Sequence, residues 1–101
     1  MSELCLTLLC PPAIEEKLLD LLLMSSEITA FFTSNKTAAH GLAHARLSQA
    51  EQVLGRALAT EVKVFLSEGN QVPLLENIRQ QFAGAGLRYW LTPVLEAGEI
   101  A

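Results

Sequence analysis

The sequence predicts a small α+β domain in which a strand–helix–strand unit occurs twice. Short apolar runs alternate with helical patterns in the order strand, helix, strand, strand, helix, strand. A long loop, about Ser34–Gly55, separates the second and third strands, where a hairpin needs only a few residues. These patterns predict a ferredoxin-like βαββαβ sandwich, with a four-stranded antiparallel sheet and two helices on one face. The whole chain, residues 1–101, is interpreted as this one domain.

The first strand and helix are marked by a change of apolar period. Leu4, Leu6 and Leu8 alternate with other mostly apolar residues, which is typical of a central strand covered on both faces. Pro11 and Pro12 end this strand and begin a helix, because proline is tolerated in a first helical turn. One apolar stripe of this helix is formed by Ile14, Leu18, Leu21 and Leu22. A second apolar side is formed by Leu19 and Leu23. The helix thus has more apolar surface than one core face requires, and the additional surface either packs inside the domain or covers a neighbouring subunit.

Alternating side chains predict the second strand over Ile28–Thr33, after a turn at Ser25 and Ser26. At the exit of the loop, Ser48 and Glu51 have the spacing of a capping box, so a short helix is expected over about 49–54. The third strand follows, and its inward side chains are predicted to be Leu58, Thr60, Val62, Val64 and Leu66.

The second helix begins at Pro73, and Gly84 and Gly86 end it. Its apolar side chains fall on one arc, formed by Leu74, Leu75, Ile78 and Phe82. The fourth strand is predicted over Leu87–Thr92 and stops at Pro93, because proline cannot donate to a strand ladder.

The sheet face opposite the helices is expected to be apolar, since it carries Phe31, Phe65 and Trp90. An open apolar face in a folded domain is typical of association. We therefore predict that Phe31, Phe65, Tyr89 and Trp90 belong to an interface between subunits. The two adjacent aromatic residues are interpreted as interface or core side chains rather than as a ligand platform.

Composition and charge argue against several classes of protein. The net charge is −4 and the seven Lys and Arg residues are scattered, whereas nucleic-acid binding normally needs a basic face. No run reaches the roughly 18 apolar residues of a membrane span, and the N-terminal segment lacks the basic residues of a signal peptide, so a cytoplasmic protein is expected. Cys5 and Cys10 fall on opposite faces of one strand and are interpreted as buried, unbridged thiols.

His40 and His44 are the only histidines, and both fall in the predicted loop. Imidazoles four positions apart suit a divalent transition metal when a helix holds them, whereas a loop leaves their geometry open. Glu51, a thiol of Cys5 or Cys10, or another subunit could complete such a site. The alternative is that both histidines are ordinary exposed loop residues.

Glu51 and Arg56 are candidates for a polar contact at the base of the loop or in a ligand cleft. In the simpler interpretation, Glu51 only caps the helix begun by Ser48. Catalysis has little support, because no Ser or Cys nucleophile has a nearby His partner and no phosphate loop or paired carboxylates stand out. We expect no catalytic residue and no enzymatic activity.

Several segments resemble the PII-like signalling superfamily: Ser34 with His40-Gly41, then Ser48-x-x-Glu51-Gln52-Val53-x-Gly55-Arg56, then Arg88-Tyr89-Trp90-Leu91-x-Pro93-Val94 and Gly98. Within it, they are most similar to a small proteobacterial PII-like family of unknown function that is often encoded near heavy-metal efflux pumps. The resemblance covers nearly the whole chain, and the last two motifs are its most specific parts. It implies a trimer that packs its sheets together and a regulatory role linked to heavy-metal resistance.

The chain departs from nucleotide-binding PII proteins at two places. Their glycine-rich segment after the second helix carries a lysine, whereas Phe82–Arg88 has none. Their long loop carries a tyrosine that is modified, and the loop predicted here has no tyrosine. ATP is therefore not expected to bind, and uridylylation is not expected.

Together these observations predict a non-enzymatic regulatory or sensor protein that forms a homotrimer. It would bind a small ligand or a metal ion through the long loop and the clefts between subunits, and act on a membrane efflux pump or another regulated protein. Neither nucleic acid nor direct membrane insertion is expected. Two alternatives are a structural interaction module without a small ligand and a small enzyme with an active site between subunits.

Overall fold

The computed structural model describes residues 2–40 and 56–101 of the 101-residue chain. The sheet contains β1 (Glu3–Cys10), β2 (Thr29–His40), β3 (Arg56–Ser67) and β4 (Arg88–Val94). The helices are α1 (Glu15–Met24), preceded by a 3₁₀ turn over Pro12–Ile14, and α2 (Gln71–Phe82). The strand order is β2-β3-β1-β4, and each neighbouring pair is antiparallel. This arrangement confirms the ferredoxin-like sandwich predicted from the sequence. The expected short helix over 49–54 lies outside the described residues.

One hydrophobic core lies between the sheet and both helices. β1 and β3 supply Leu6, Leu8, Cys10, Val62, Val64 and Leu66, and the helices supply Leu18, Leu21, Leu22, Leu74, Leu75, Ile78 and Phe82. From the sequence, Leu19 and Leu23 could either pack inside the domain or cover a neighbouring subunit. Leu19 is partly buried against this core, whereas Leu23 remains 64% exposed. The surplus apolar surface of α1 is thus only partly used inside the described fold.

Short polar contacts fix the ends of the helices. The Ser25 hydroxyl donates to the carbonyl of Leu21 at 2.8 Å, where α1 ends. Gly69 has φ +101°, which favours glycine, and its N–H donates to the side chain of Gln71 at 2.7 Å. Asn70 then donates from Nδ2 to the carbonyl of Ile28 at 3.3 Å, so the start of α2 is tied to the turn before β2.

The second strand is longer than the sequence suggested, and the predicted start of the loop at Ser34 is wrong. β2 continues to His40, and Ser34–His40 pair with Arg56–Val62 of β3. The prediction failed because it relied on apolar alternation. Backbone pairing instead extends the ladder through polar and small residues whose side chains need no core.

Two further details differ from the sequence predictions. Leu58 lies on the same face of β3 as Thr60 and Val62, as expected, but it is 65% exposed and lines a pocket instead of joining the core. Pro93 was expected to end the last strand, yet it pairs with Leu4 inside β4. β4 is an edge strand, where a residue without an N–H is tolerated. No helix within residues 2–40 and 56–101 is long and apolar enough to cross a bilayer.

Replacing Leu18 with Ala should test the core, because this side chain is fully buried between α1 and the sheet. The loss of packing and the cavity left behind should lower the free energy of unfolding by about 2–5 kcal/mol. Leu23→Ala, on the same helix but 64% exposed, is the matched control and should change it by less than about 1 kcal/mol. Urea denaturation followed by circular dichroism measures both. Equal losses in the two variants would contradict the assigned core.

Candidate functional site

The sheet face away from the helices carries an aromatic patch formed by Phe31, Phe65 and Trp90. Phe31 and Phe65 are directly paired across β2 and β3, and their rings stack with centroids 4.7 Å apart and an interplanar angle of 14°. Trp90 lies on β4, two strands away from β3, which corresponds to about 10 Å. Phe31 is 56% exposed and Trp90 is 44% exposed. The structure therefore brings these three predicted residues to one open face.

Small side chains of the central strand lie between the aromatic rings. Cys5 pairs with Phe65 on one side, and Thr7 pairs with Trp90 on the other. Both are buried although they belong to the open face, and the Cys5 sulfur lies 3.9 Å from the Thr7 hydroxyl oxygen. Lys63 forms an ion pair of 3.7 Å with Glu61 along β3. The aromatic patch is thus a shallow apolar surface with a polar side.

Tyr89, the fourth residue predicted for the interface, lies on the opposite face of the sheet. Its strand partner is Leu8, which belongs to the core under the helices. The Tyr89 hydroxyl accepts a hydrogen bond of 3.1 Å from Nη2 of Arg79 on α2. The aromatic patch therefore does not include this residue, although it is adjacent in sequence to Trp90.

The end of the β2–β3 ladder holds the predicted loop-base residues that the structure describes. His40 is exposed and pairs with Arg56 at the last rung of the ladder. His44 and Glu51 lie outside the described residues, and of Arg56 only the backbone is described. Within residues 2–40 and 56–101, no three His, Cys, Asp or Glu side chains lie close enough to hold a metal ion together. The metal site at His40 and His44 stays a prediction.

A pocket of mixed polar and apolar lining, which the sequence did not reveal, lies where α1 begins, next to the β2–β3 hairpin. Its volume is about 420 Å³, and its lining includes Glu15, Glu16, Lys36 and Leu58. At its edge the buried hydroxyl of Thr60 donates to Oε1 of Glu15. Apolar alternation predicted Thr60 to be inward, but nothing in the sequence showed that a carboxylate 45 positions away would meet it.

Cys10 lies beside this pocket, opposite Thr60 in the ladder, and only 1% of it is exposed. Burial, and secondarily the negative charge of Glu15, raise the pKa of the Cys10 thiol from 9.0 to about 11, while a backbone hydrogen bond from Thr60 acts in the opposite direction. The thiol is therefore protonated at neutral pH and a weak nucleophile. Both cysteines are free and buried, as the sequence predicted.

Comparison with known proteins gives a family and a fold. Residues 1–101 match the family described as "Protein of unknown function (DUF3240)". A DUF3240 family protein from Shewanella baltica has a similar structure, with a TM-score of 0.81, 17% identity, and coverage of 100% of this chain and 99% of that chain. No curated protein matches the chain in sequence.

Two further solved structures are similar in fold. CPII from Thiomonas intermedia, a nitrogen regulatory PII-like protein bound to ADP, AMP and bicarbonate, has a TM-score of 0.72 and 17% identity, covering 99% of this chain and 98% of its own. The periplasmic divalent cation tolerance protein CutA from Archaeoglobus fulgidus has a TM-score of 0.71 and 7% identity, covering 96% and 88%. At such identities the likeness concerns the fold alone, which is PII-like.

The raised pKa of the buried Cys10 thiol should make the stability of the protein depend on pH. Between pH 9 and 11 the folded state holds a proton on Cys10 that the unfolded chain releases, so the free energy of unfolding should fall as pH rises through this range. Below pH 9.0 the thiol is protonated in both the folded and the unfolded state, so its contribution to the free energy of unfolding is fully present. In Cys10→Ala this part of the fall should disappear, whereas Cys5→Ala should retain it. Urea denaturation at several pH values measures the difference, and parallel curves for all three proteins would contradict the prediction.

Proposed function

The chain belongs to the DUF3240 family of unknown function, and we propose that it is a non-enzymatic regulatory or sensor protein of the PII-like type. In this proposal the chain forms a homotrimer, binds a small ligand or a metal ion near the β2–β3 hairpin and the clefts between subunits, and transmits the bound state to a partner protein. The fold supports the regulatory class, because similar structures include a nitrogen regulatory PII-like protein.

The observation that carries the proposal is the aromatic patch. Phe31 and Trp90 leave about half of their large side chains exposed on a sheet face that no helix of the described fold covers. Burying such a surface against other copies of the chain removes apolar area from water, which is the main driving force of most protein association. In a closed homotrimer the same patch would meet its equivalents around one axis.

The ligand site is proposed at the end of the β2–β3 ladder. His40 is exposed there, at the boundary with residues 41–55, and the chain's other histidine, His44, follows four positions later. Neutral imidazoles bind borderline metals such as Zn²⁺, Ni²⁺ and Cu²⁺. Glu51 and Arg56 are proposed to line the base of the same site. A metal ligand fits a role in heavy-metal resistance, with a membrane efflux pump as the regulated partner.

ATP is not part of the proposal. The turn after α2 places Gly84 and Gly86 at φ +80° and +88°, but Phe82–Arg88 supplies no lysine to hold a phosphate chain. The bound ADP and AMP of CPII are properties of that protein.

The oligomer is tested by placing one charge on the aromatic patch. The protein should sediment at three times its mass of 11.0 kDa at micromolar concentration. Phe31→Asp should shift it to the monomer, because burying an unpaired carboxylate opposes association. Ser34→Asp adds the same charge to the other face of β2, where the side chain is exposed, and should leave the trimer intact. A monomeric parent protein would overturn the proposed assembly.

The metal site is tested by the double variant His40→Ala, His44→Ala. Calorimetry with Zn²⁺, Ni²⁺ and Cu²⁺ should show binding by the parent and none by the variant. Affinity should fall below about pH 6.5, because protons compete with the metal for imidazole nitrogen. The variant should keep the trimer mass, since His40 is exposed at the end of the ladder. Equal metal affinity in both proteins would show that His40 and His44 are ordinary exposed residues. A trimer that binds no metal would favour the interaction module instead.

A further inference from the structure

A second concave site lies on the helix side of the sheet, between the C-terminal half of α2 and β4. This α2–β4 cleft has a volume of about 320 Å³. Its lining combines an apolar floor with one cation and one phenol, and includes Leu8, Ile78, Phe82, Leu87, Arg79 and Tyr89. It is formed within one chain, by residues other than those of the aromatic patch and of the β2–β3 ladder end.

The floor and the mouth of the cleft differ in character. Leu8, Ile78 and Phe82 are at most 7% exposed and belong to the core, so the floor is apolar and firmly packed. The mouth is bordered by Gly84 and Gly86, both with positive φ. A Cβ atom built on Gly84 meets no atom within 4 Å, so no side chain closes the cleft at this point. The rim of the cleft at Gly84 therefore has free space beside it.

Arg79 and Tyr89 place hydrogen-bond donors at the mouth. Nη2 of Arg79 donates to the Tyr89 hydroxyl at 3.1 Å, and the guanidinium carbon lies 5.9 Å from the centre of the phenol ring. Because the Tyr89 oxygen accepts from arginine, its own proton is directed elsewhere. The guanidinium keeps further N–H donors, and no carboxylate of the described residues pairs with it. Two donors, one of them charged, thus lie beside an apolar cleft without an anionic partner.

We propose that the α2–β4 cleft binds a small amphipathic anion, a carboxylate on a short apolar body. The apolar body would lie against the half-buried Leu87 and over Ile78 and Phe82, where it leaves water. The carboxylate would accept hydrogen bonds from the Arg79 guanidinium and from the Tyr89 hydroxyl, which fits the planar donor fork of arginine. The volume is at the lower end of small-molecule pockets, which limits the ligand to a single short chain or ring.

Calorimetry on the full chain tests whether the cleft recognises a carboxylate. It compares the affinities of three compounds with equal chain length and different head groups. Octanoate is the anionic probe, 1-octanol the neutral one and octylamine the cationic one. Octanoate should bind at least about tenfold more tightly than 1-octanol, because its carboxylate accepts charge-assisted hydrogen bonds that are stronger than those of a neutral hydroxyl. Octylamine should bind more weakly still. Equal affinity for octanoate and 1-octanol would overturn the proposal, since it would reveal only an apolar surface.

Three variants locate the site. Arg79→Gln should weaken octanoate binding about tenfold and leave 1-octanol unaffected, because it removes the charge from an exposed position. Tyr89→Phe keeps the ring and loses only the hydroxyl, so a loss of about threefold is expected. Arg88→Gln is the matched control, because this exposed arginine pairs with Leu9 on the opposite sheet face and should bind octanoate like the parent.

The octanoate affinities of these variants test the proposed cleft, and they do so whether or not the protein forms a trimer. Unchanged octanoate affinity in both Arg79→Gln and Tyr89→Phe would overturn it. A loss in Arg88→Gln as large as that in Arg79→Gln would overturn it too, because it would show attraction by net charge rather than by a site. Amide chemical shifts of Gly84 and Gly86 provide a second measurement, since both residues border the cleft and should shift on addition of octanoate to the parent protein.

Discussion

The pairing of β1 with both β3 and β4 determines which side chains of these three strands face the helices and which lie on the open face. Leu6 and Leu8 face the helices because they pair with Val64 and Val62, and the alternate residues of all three strands consequently share the open face. A shift of one residue in this register would move the core side chains to solvent. The central strand therefore holds the aromatic patch and the α2–β4 cleft on opposite sides of one sheet.

This separation assigns different chemistry to the two faces. The open face offers flat aromatic surface around Phe31 and Trp90, which suits large partner surfaces better than small ligands. Among the described residues, the helix side offers concave places at the start of α1 and at the end of α2. Because the two adjacent residues Tyr89 and Trp90 fall on different faces, one short strand contributes to both surfaces.

Most of the architecture could be predicted from the spacing of apolar residues and from the prolines and glycines that end helices and strands. Contacts between elements that are distant in sequence could not be predicted. Apolar alternation and the prolines at 11 and 12 were sufficient for β1 and α1. The polar half of β2 carried no such signal, because its residues pair with β3 without an alternation of apolar and polar side chains. The hydrogen bonds from Thr60 to Glu15 and from Arg79 to Tyr89 depend on how the helices lie across the sheet. Sequence spacing says nothing about that placement, and this is why the sequence revealed neither pocket.

The geometry also narrows which side chains could share a metal ion with His40. A thiol was one candidate for completing the site, yet Cys10 pairs with Thr60, and Thr60 pairs with Lys36 on β2. Four residues of strand separate Lys36 from His40, which corresponds to about 13 Å. Ionising Cys10 would also oppose the burial and the Glu15 carboxylate that raise its pKa to about 11. Cys5 faces the other side of the sheet. Within one chain, the proposed metal site at the end of the ladder would therefore use imidazoles and oxygen ligands and not the thiols.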